Sequence, residues 1–378
     1  MMRSPIVVGH VVLSLQAGGL ENGVVNVINR LDKNEFRSVV FCLQVAGEFA
    51  QRIADPDVKV YSFGLKGGNN PGLIWRLARS LKKENVAVVH TRNPEAFFYG
   101  AVAARIAGVK GLIHSEHGRD FPDKWHRMLL QRVLSRRANA IFTMSEDLKC
   151  KLITYVKIPP QSISVIYNGV GDEFFEIARS AAKDRSIGLP DGHFVVGSIG
   201  RLAEVKNQAM LIEGVARLQK QGVNVAFLLV GDGPLRAPLE ALAMKLLKPG
   251  SYYFAGFQND IRPYLAAMDI FALTSLNEGI SNTLLEAMAA KRAVVVTKVG
   301  GNLEIVKDQV NGCMVDSGDV VGLANALGRY IQERGFREAT AEAGRAYVRD
   351  RHSMVSMVRQ YEELYSLAAE RTRNAQAT

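Results

Sequence analysis

The segment NEGISNTLLEAM, residues 277–288, sets Glu278 and Glu286 eight positions apart, with Gly279, Ile280, Ser281 and Asn282 between them. Two carboxylates so spaced could be the acid–base pair of a hydrolase, the two ends of a nucleotide clamp, or solvated surface charges. On one continuous helix they would lie about 12 Å apart along the axis and about 80° apart around it. Glycosidase carboxylates flank a single bond at about 5–5.5 Å or 6.5–9.5 Å. Ser281 and Asn282 are good N-cap residues, so the helix is predicted to start there and to leave Glu278 in the preceding loop. Between the carboxylates, the N–H groups of Gly279, Ile280 and Ser281 could then meet phosphate oxygens. That geometry suits an elongated ligand with hydroxyls at each end and anionic charge in the middle, such as a nucleotide sugar. Standing alone, two surface glutamates would be the commoner outcome.

Other segments carry related chemistry. GSIGRLAEVKNQAML places Arg201 and Lys206 after a strand and before a helix, two cations at a potential diphosphate site. Arginine can bind phosphate oxygens bidentately, whereas lysine acts as a point charge. The pattern G-x-x-x-x-G-K-[ST] is not met, which argues against an ATPase. In QAGGLENG, Gly18 and Gly19 allow backbone to approach a ligand at the start of a helix, although an ordinary strand-to-helix turn would look the same. HSEHGRD groups His114, Glu116, His117, Arg119 and Asp120. His114 reads as a strand residue satisfied in the core. His117 falls just past the strand, where a substrate could reach it. The H-E-x-x-H arrangement of a zinc helix is absent, so no metal site is expected. VGDGPLR begins like a dinucleotide loop, but Arg236 stands where the third glycine is required.

The elements that must position these residues are strands and helices in alternation. Apolar runs such as IVVGHVVLS, SVVFCL, VKVYSF, VAVVH, GLIHSE, NAIFTM and SISVIY, then HFVVGSIG, NVAFLLVG, SYYFAG, DIFALT and RAVVVT, read as strands. Helical periodicity falls at 71–84, 94–107, 124–137, 206–221, 234–247 and 282–291. Near-continuous apolar strands between helices mean parallel sheets covered on both faces. Twelve are too many for one ordinary sheet, so two doubly wound domains facing a central cleft are expected, with chemistry in the loops beyond the strand ends. The charged stretch 171–192 is read as the linker. It divides residues 1–175 from 176–352, and a final helix over about 353–378, helical to about Ala369, is expected to pack across the junction.

Composition narrows the class further. The 378 residues suggest two or three domains, and 48% hydrophobic with 22% charged residues indicates well-built cores. The net charge is +10, of which +7 falls in residues 1–177. Solvated helix faces account for such a bias, as does attraction to an anionic membrane surface. No basic run with interleaved aromatics supports nucleic acid. Cys42, Cys150 and Cys313 are scattered and odd in number, which fits neither a disulfide framework nor a metal site and points to a reducing cytoplasm. The first apolar run is broken by Gly9 and His10 and reads as a strand rather than a leader. No apolar run of about 18 residues is present to cross a membrane.

The ordered set of the GGLE loop, His117-Gly118, YNGV at 167–170, GRLAEVKN and E-x7-E resembles family 4 of the retaining glycosyltransferases. GGLENGVVNVINRL, HTRN and SEHGRD are similar to a subgroup associated with bacterial exopolysaccharide clusters. The resemblance spans nearly the whole chain. It implies the GT-B architecture of two Rossmann-like domains, with a C-terminal helix crossing back to the first. It further implies that Arg201 and Lys206 hold a diphosphate supported by Gly18 and Gly19, and that Glu286 binds the ribose hydroxyls. Glu278 would contact the donor sugar, His117 would lie beside it, and the backbone of Gly279, Ile280 and Ser281, with Asn282, would complete the cradle. The family commonly reads E-G-F-P or E-G-F-G where this chain has Glu278-Gly279-Ile280-Ser281. The implied activity is metal-independent, retaining transfer from a nucleoside-diphosphate sugar, by family frequency a UDP-sugar, to a glycan or lipid-linked acceptor, with no cofactor. The location would be cytoplasmic, peripheral at an anionic inner-membrane surface. The alternatives are a GT-B sugar-nucleotide epimerase or phosphorylase and a non-catalytic nucleotide-sugar-binding scaffold.

Overall fold

A computed structural model describes residues 4–16, 18–68, 70–118, 121–177, 188–189 and 192–374, with side chains to 370. The chain forms two compact units, Met1–Asn168 with Val355–Thr378, and Gly169–Met354.

In the first unit seven parallel strands run in the order β3-β2-β1-β4-β5-β6-β7. These are β1 Ile6–Val12, β2 Phe36–Cys42, β3 Lys59–Ser62, β4 Val88–Arg92, β5 Gly111–Glu116, β6 Ala140–Thr143 and β7 Ile163–Val165. The second unit has six, in the order β10-β9-β8-β11-β12-β13. They are β8 Phe194–Ile199, β9 Val225–Val230, β10 Tyr252–Gly256, β11 Ile270–Leu273, β12 Ala293–Thr297 and β13 Cys313–Val315. Each sheet reverses its order beside its first strand, between β1 and β4 and between β8 and β11, the switch point where doubly wound sheets bind ligands. The apolar runs are continuous because both faces are covered: every residue of β9, VAFLLV, is buried. All twelve expected strands form. Only β13, three residues long, was not anticipated.

The predicted helices form with their ends moved by one to two residues, as with Pro71–Lys83, Asn93–Ala107, Gln208–Lys220 and Asn282–Ala289. The units divide earlier than 175/176 because helix Asp172–Phe175 packs against helix Asn282–Ala289 and so belongs to the second unit. Of the expected linker 171–192, residues 178–187, 190 and 191 lie outside the described residues.

The last helix, Met354–Asn374, returns the chain to the first unit and continues beyond Ala369. Tyr361 and Tyr365 are buried there against His90, and Glu362 accepts a hydrogen bond from the Asp32 N–H at 2.9 Å. At the start of the second unit two passages of chain touch backbone to backbone: Val170 N–H donates to His352 O at 2.8 Å, and Met354 N–H to Val170 O at 3.3 Å. A Cβ on Gly169 would stand 2.5 Å from Met354 Cα. The glycine of the YNGV motif is therefore required by close packing at the point where the chain passes twice.

Candidate donor site and buried histidine network

In the second unit the loop after β8 carries Arg201 and Lys206. Arg201 is exposed, while Leu202 beside it is buried and anchors the loop. Lys206 ends a short turn, Glu204–Lys206, and Asn207 in left-handed conformation (φ 45°) leads into helix Gln208–Lys220. Gln208 Nε2 donates to Arg201 O at 2.9 Å, and Thr274 Oγ1 donates to Asn207 O at 2.9 Å, so the loop is tied at both ends. The glycine-rich loop after β9 supports it from the side. Leu202 N–H donates to Asp232 O at 2.9 Å, and a Cβ on Gly231 (φ 132°) would collide with Gly200 O. VGDGPLR, which fails as a dinucleotide fingerprint, thus has a packing role.

Lys206 and Glu278 meet. Lys206 Nζ donates to Glu278 Oε1, and Ser275 Oγ donates to the same oxygen at 2.7 Å. The Glu278 side chain is 9% exposed and that of Lys206 25%, so this ion pair is largely withdrawn from water. The loop after β12 closes around the glutamate backbone: Gly301 N–H donates to Glu278 O at 3.0 Å, and Gly300 (φ 46°) has no room for a Cβ against that same carbonyl.

Ser281 caps helix Asn282–Ala289, its Oγ accepting from Leu284 N–H at 3.4 Å, so the helix begins where the cap residues predict. Glu278 lies in the preceding loop, as expected. Ile280 is 9% exposed and packs toward Gly301. Since the Ser281 hydroxyl serves the cap, both residues offer backbone rather than side chain. Asn282 is the first helical residue and half-buried. The N–H groups of Gly279, Ile280 and Ser281 find no acceptor among the described residues. Three consecutive unmet donors thus stand at a helix start, near Lys206, where an anion could be received.

Glu286 sits half-buried on that helix, and its pKa is pushed up to about 7, by burial first and by the nearby Glu173 second. Because the folded pKa exceeds the unfolded one, its contribution to stability is complete below about pH 4.5 and is lost as pH rises through about 7. Glu286→Gln is expected to raise the melting temperature at pH 8 and to leave it unchanged at pH 4.5. Thermal melts across that range check this. Among the described residues no group of three His, Cys, Asp or Glu side chains is arranged to hold a metal ion.

In the first unit, Gly18 is the extended N-cap (φ −170°) of helix Gly19–Arg30. The Glu21 carboxylate folds back beside Gly18, and burial raises its pKa. His117 follows β5. Its backbone N–H donates to Asn93 Oδ1 at 2.9 Å, and its ring Nε2 lies 2.9 Å from Ser115 Oγ. Burial, then the charges of Arg92 and His114, lower its pKa to about 3. It is therefore a neutral hydrogen-bonding group at physiological pH and no general acid. His114 is a core residue, as expected, stacked on Phe97 at 3.9 Å and 3.1 Å from Thr91 Oγ1. Arg119 and Asp120 lie outside the described residues.

Sequence reasoning missed Ser275, Gly300 and Glu173. The double glycine at 300–301 was the one visible signal.

A family described as Glycosyltransferase Family 4 matches residues 17–174, and one described as Glycosyl transferases group 1 matches 193–333. The UDP-Gal:alpha-D-GlcNAc-diphosphoundecaprenol alpha-1,3-galactosyltransferase of Escherichia coli is 31% identical over 275 residues, 68% of this chain and 70% of that one. The chain belongs to glycosyltransferase family 4. EpsF of Bacillus subtilis is 26% identical over 308 residues, 76% of this chain and 78% of that one. HepE of Anabaena, solved with UDP and glucose, superposes with a TM-score of 0.81 at 23% identity, covering 95% of this chain and 99% of that one. That likeness identifies the two Rossmann-like units as a GT-B glycosyltransferase fold, and the expected class is correct.

Proposed function

We propose that this glycosyltransferase moves a sugar from UDP-sugar to a lipid-linked or glycan acceptor in polysaccharide biosynthesis, with retention and without a metal ion. The observation that carries this reading is the run of unmet N–H groups at Gly279, Ile280 and Ser281 beside Lys206, which matches the charge of a diphosphate. The relative from Escherichia coli is named for UDP-Gal and a diphosphoundecaprenol-linked acceptor, and HepE was solved with UDP. Both support a UDP-linked donor. Glu286 accepts from the ribose hydroxyls and Glu278 from the sugar hydroxyls, and the family resemblance assigns His117 and Gly19 to the donor as well.

Departure of UDP develops negative charge on the β-phosphate while the anomeric carbon becomes oxocarbenium-like. Arg201, Lys206 and the cradle N–H groups stabilise that charge, each such donor being worth about 2.7–4 kcal/mol by precedent. The departing phosphate takes the acceptor proton on the same face, which retains the anomeric configuration. An inverted product anomer would overturn this step.

Melting temperatures with UDP, GDP, ADP and CMP, and with their sugars, test the donor class. A ligand at 100 times its Kd adds about 2.7 kcal/mol, a shift of about 2–4 °C per kcal/mol for domains of this size. UDP and a UDP-sugar are expected to give the largest shifts. Equal shifts from all four nucleotides would remove the base from the reading.

The helix Trp125–Ser135 supports a peripheral membrane location. Trp125, Leu129 and Val133, spaced four apart on one stripe, are 73%, 51% and 47% exposed, with Lys124, Arg132 and Arg136 exposed around them. An apolar stripe edged by cations suits an anionic lipid surface. Among the described residues no helix is long and apolar enough to cross a membrane. Sedimentation with anionic vesicles is expected, and Trp125→Ser with Leu129→Ser should weaken it. No binding to such vesicles at low salt would exclude the surface role.

A further inference from the structure

We propose that the Tyr365 hydroxyl, acting through His90 and Ser115, fixes the ring tautomer of His117 with the proton on Nδ1. Tyr365, His90 and Ser115 are then positioning residues for a ligand contact made by His117. The inference rests on the reading that His117 meets the donor.

A continuous hydrogen-bonded chain runs from the last helix to His117. Tyr365 Oη lies 2.8 Å from His90 Nδ1, His90 Nε2 lies 3.0 Å from Ser115 Oγ, and Ser115 Oγ lies 2.9 Å from His117 Nε2. Tyr365, His90 and Ser115 are fully buried. The His90 ring is held between Phe142 and Tyr361, so its two nitrogens cannot exchange places without repacking both. Burial and the Arg92 charge keep His90 and His117 neutral, one donor and one acceptor to each ring.

Only two directions of donation satisfy the whole chain. In the first, Tyr365 donates to His90 Nδ1, His90 Nε2–H donates to Ser115, Ser115 donates to His117 Nε2, and the His117 proton sits on Nδ1. In the second every donation reverses. The Tyr365 hydroxyl decides between them. Its one hydrogen-bond partner among the described residues is His90 Nδ1. In the reversed arrangement the Tyr365 oxygen would accept from His90 Nδ1–H, and its own proton would have no acceptor among the described residues. An unmet buried donor is costly enough to set the direction. The forward direction leaves Nδ1–H of His117, which has no partner among the described residues, as a donor to a ligand oxygen.

The chain is tested by long-range ¹H–¹⁵N spectra of the ligand-free protein labelled at histidine, with His117 assigned by His117→Gln. The wild type is expected to show His117 protonated on Nδ1, favoured by about tenfold or more. Ser115→Ala should abolish that bias and Tyr365→Phe should reduce it, each in a protein that still melts cooperatively. A wild-type His117 protonated on Nε2, or a bias untouched in both variants, overturns the proposal. Should either variant fail to fold, the wild-type spectrum alone decides. The His117 signal is also expected to move with UDP-glucose or UDP-galactose and not with UDP alone. If neither sugar moves it, the ligand contact is overturned, and the tautomer result stands apart from it.

Discussion

Lys206→Ala is expected to lower turnover by about 10²–10³-fold and to destabilise the second unit at the same time. The catalytic loss follows from the chemistry of a departing diphosphate. A preorganised cation beside the cradle N–H groups meets charge that grows in the transition state, and removal of one such donor costs about 10²–10³ in kcat. The stability loss follows from the Lys206–Glu278 ion pair. With Lys206 gone, a carboxylate only 9% exposed keeps the Ser275 hydroxyl but loses its cation. A hydrogen bond to a charged group is worth about 1.5–3 kcal/mol. The two losses can be separated. Lys206→Ala combined with Glu278→Ala removes both charges, so stability should recover toward the wild type while transfer stays lost. A double mutant as unstable as the sum of the single ones would show that the pair is not coupled.

Glu278→Gln and Glu286→Ala should fail in different ways. Glutamine at 278 can still accept from Lys206 and Ser275, so the loop keeps its shape and UDP affinity should hold. The proposed charge-assisted bonds to the sugar would weaken, and transfer should fall by about 10–100-fold. Alanine at 286 removes the proposed acceptor for the ribose hydroxyls, and UDP affinity itself should fall by about 10–100-fold. The raised pKa of Glu286 adds a pH signature. Its carboxylate form, the stronger acceptor, becomes populated as pH rises through about 7, so kcat/KM for the donor should climb through that range in the wild type and be flat in Glu286→Gln. His117, neutral above about pH 3, adds no limb near the ordinary histidine pKa. Titration calorimetry with UDP and donor-dependent rates, measured on the same two variants, separate the roles. Identical losses in both would remove the division between a sugar end and a ribose end.

Much of this was legible in the residues. The apolar strands, the cap at Ser281 and the loop position of Glu278 follow from local pattern, because burial on both faces and N-cap chemistry act over a few residues. What local pattern cannot show is which side chains meet. Lys206 and Glu278 lie 72 positions apart, and each had been read toward a ligand rather than toward the other. Ile280 stands where the family commonly carries an aromatic, and it packs toward Gly301, a contact that only the loop after β12 creates. The glycines after β9 failed as a nucleotide motif because their work is to let two backbones touch. Strand β13 escaped notice because its run, CMV, is closed in by Gly312 and Asp316 and has no longer apolar stretch around it. That His90 of HTRN meets Tyr365 was not legible, because the contact exists only once the sheet register sets His90 beside β5 and the last helix returns to it.

The central claim is that the cradle at Gly279–Ser281, with Arg201 and Lys206, reads a diphosphate. Titration calorimetry of uridine and UDP at pH 8 tests it most directly, in the wild type and in Arg201→Ala. UDP is expected to bind the wild type at least about 100-fold more tightly than uridine, with the gap narrowing by about tenfold or more in Arg201→Ala. Uridine and UDP binding with equal affinity, or a gap unchanged by Arg201→Ala, would contradict it.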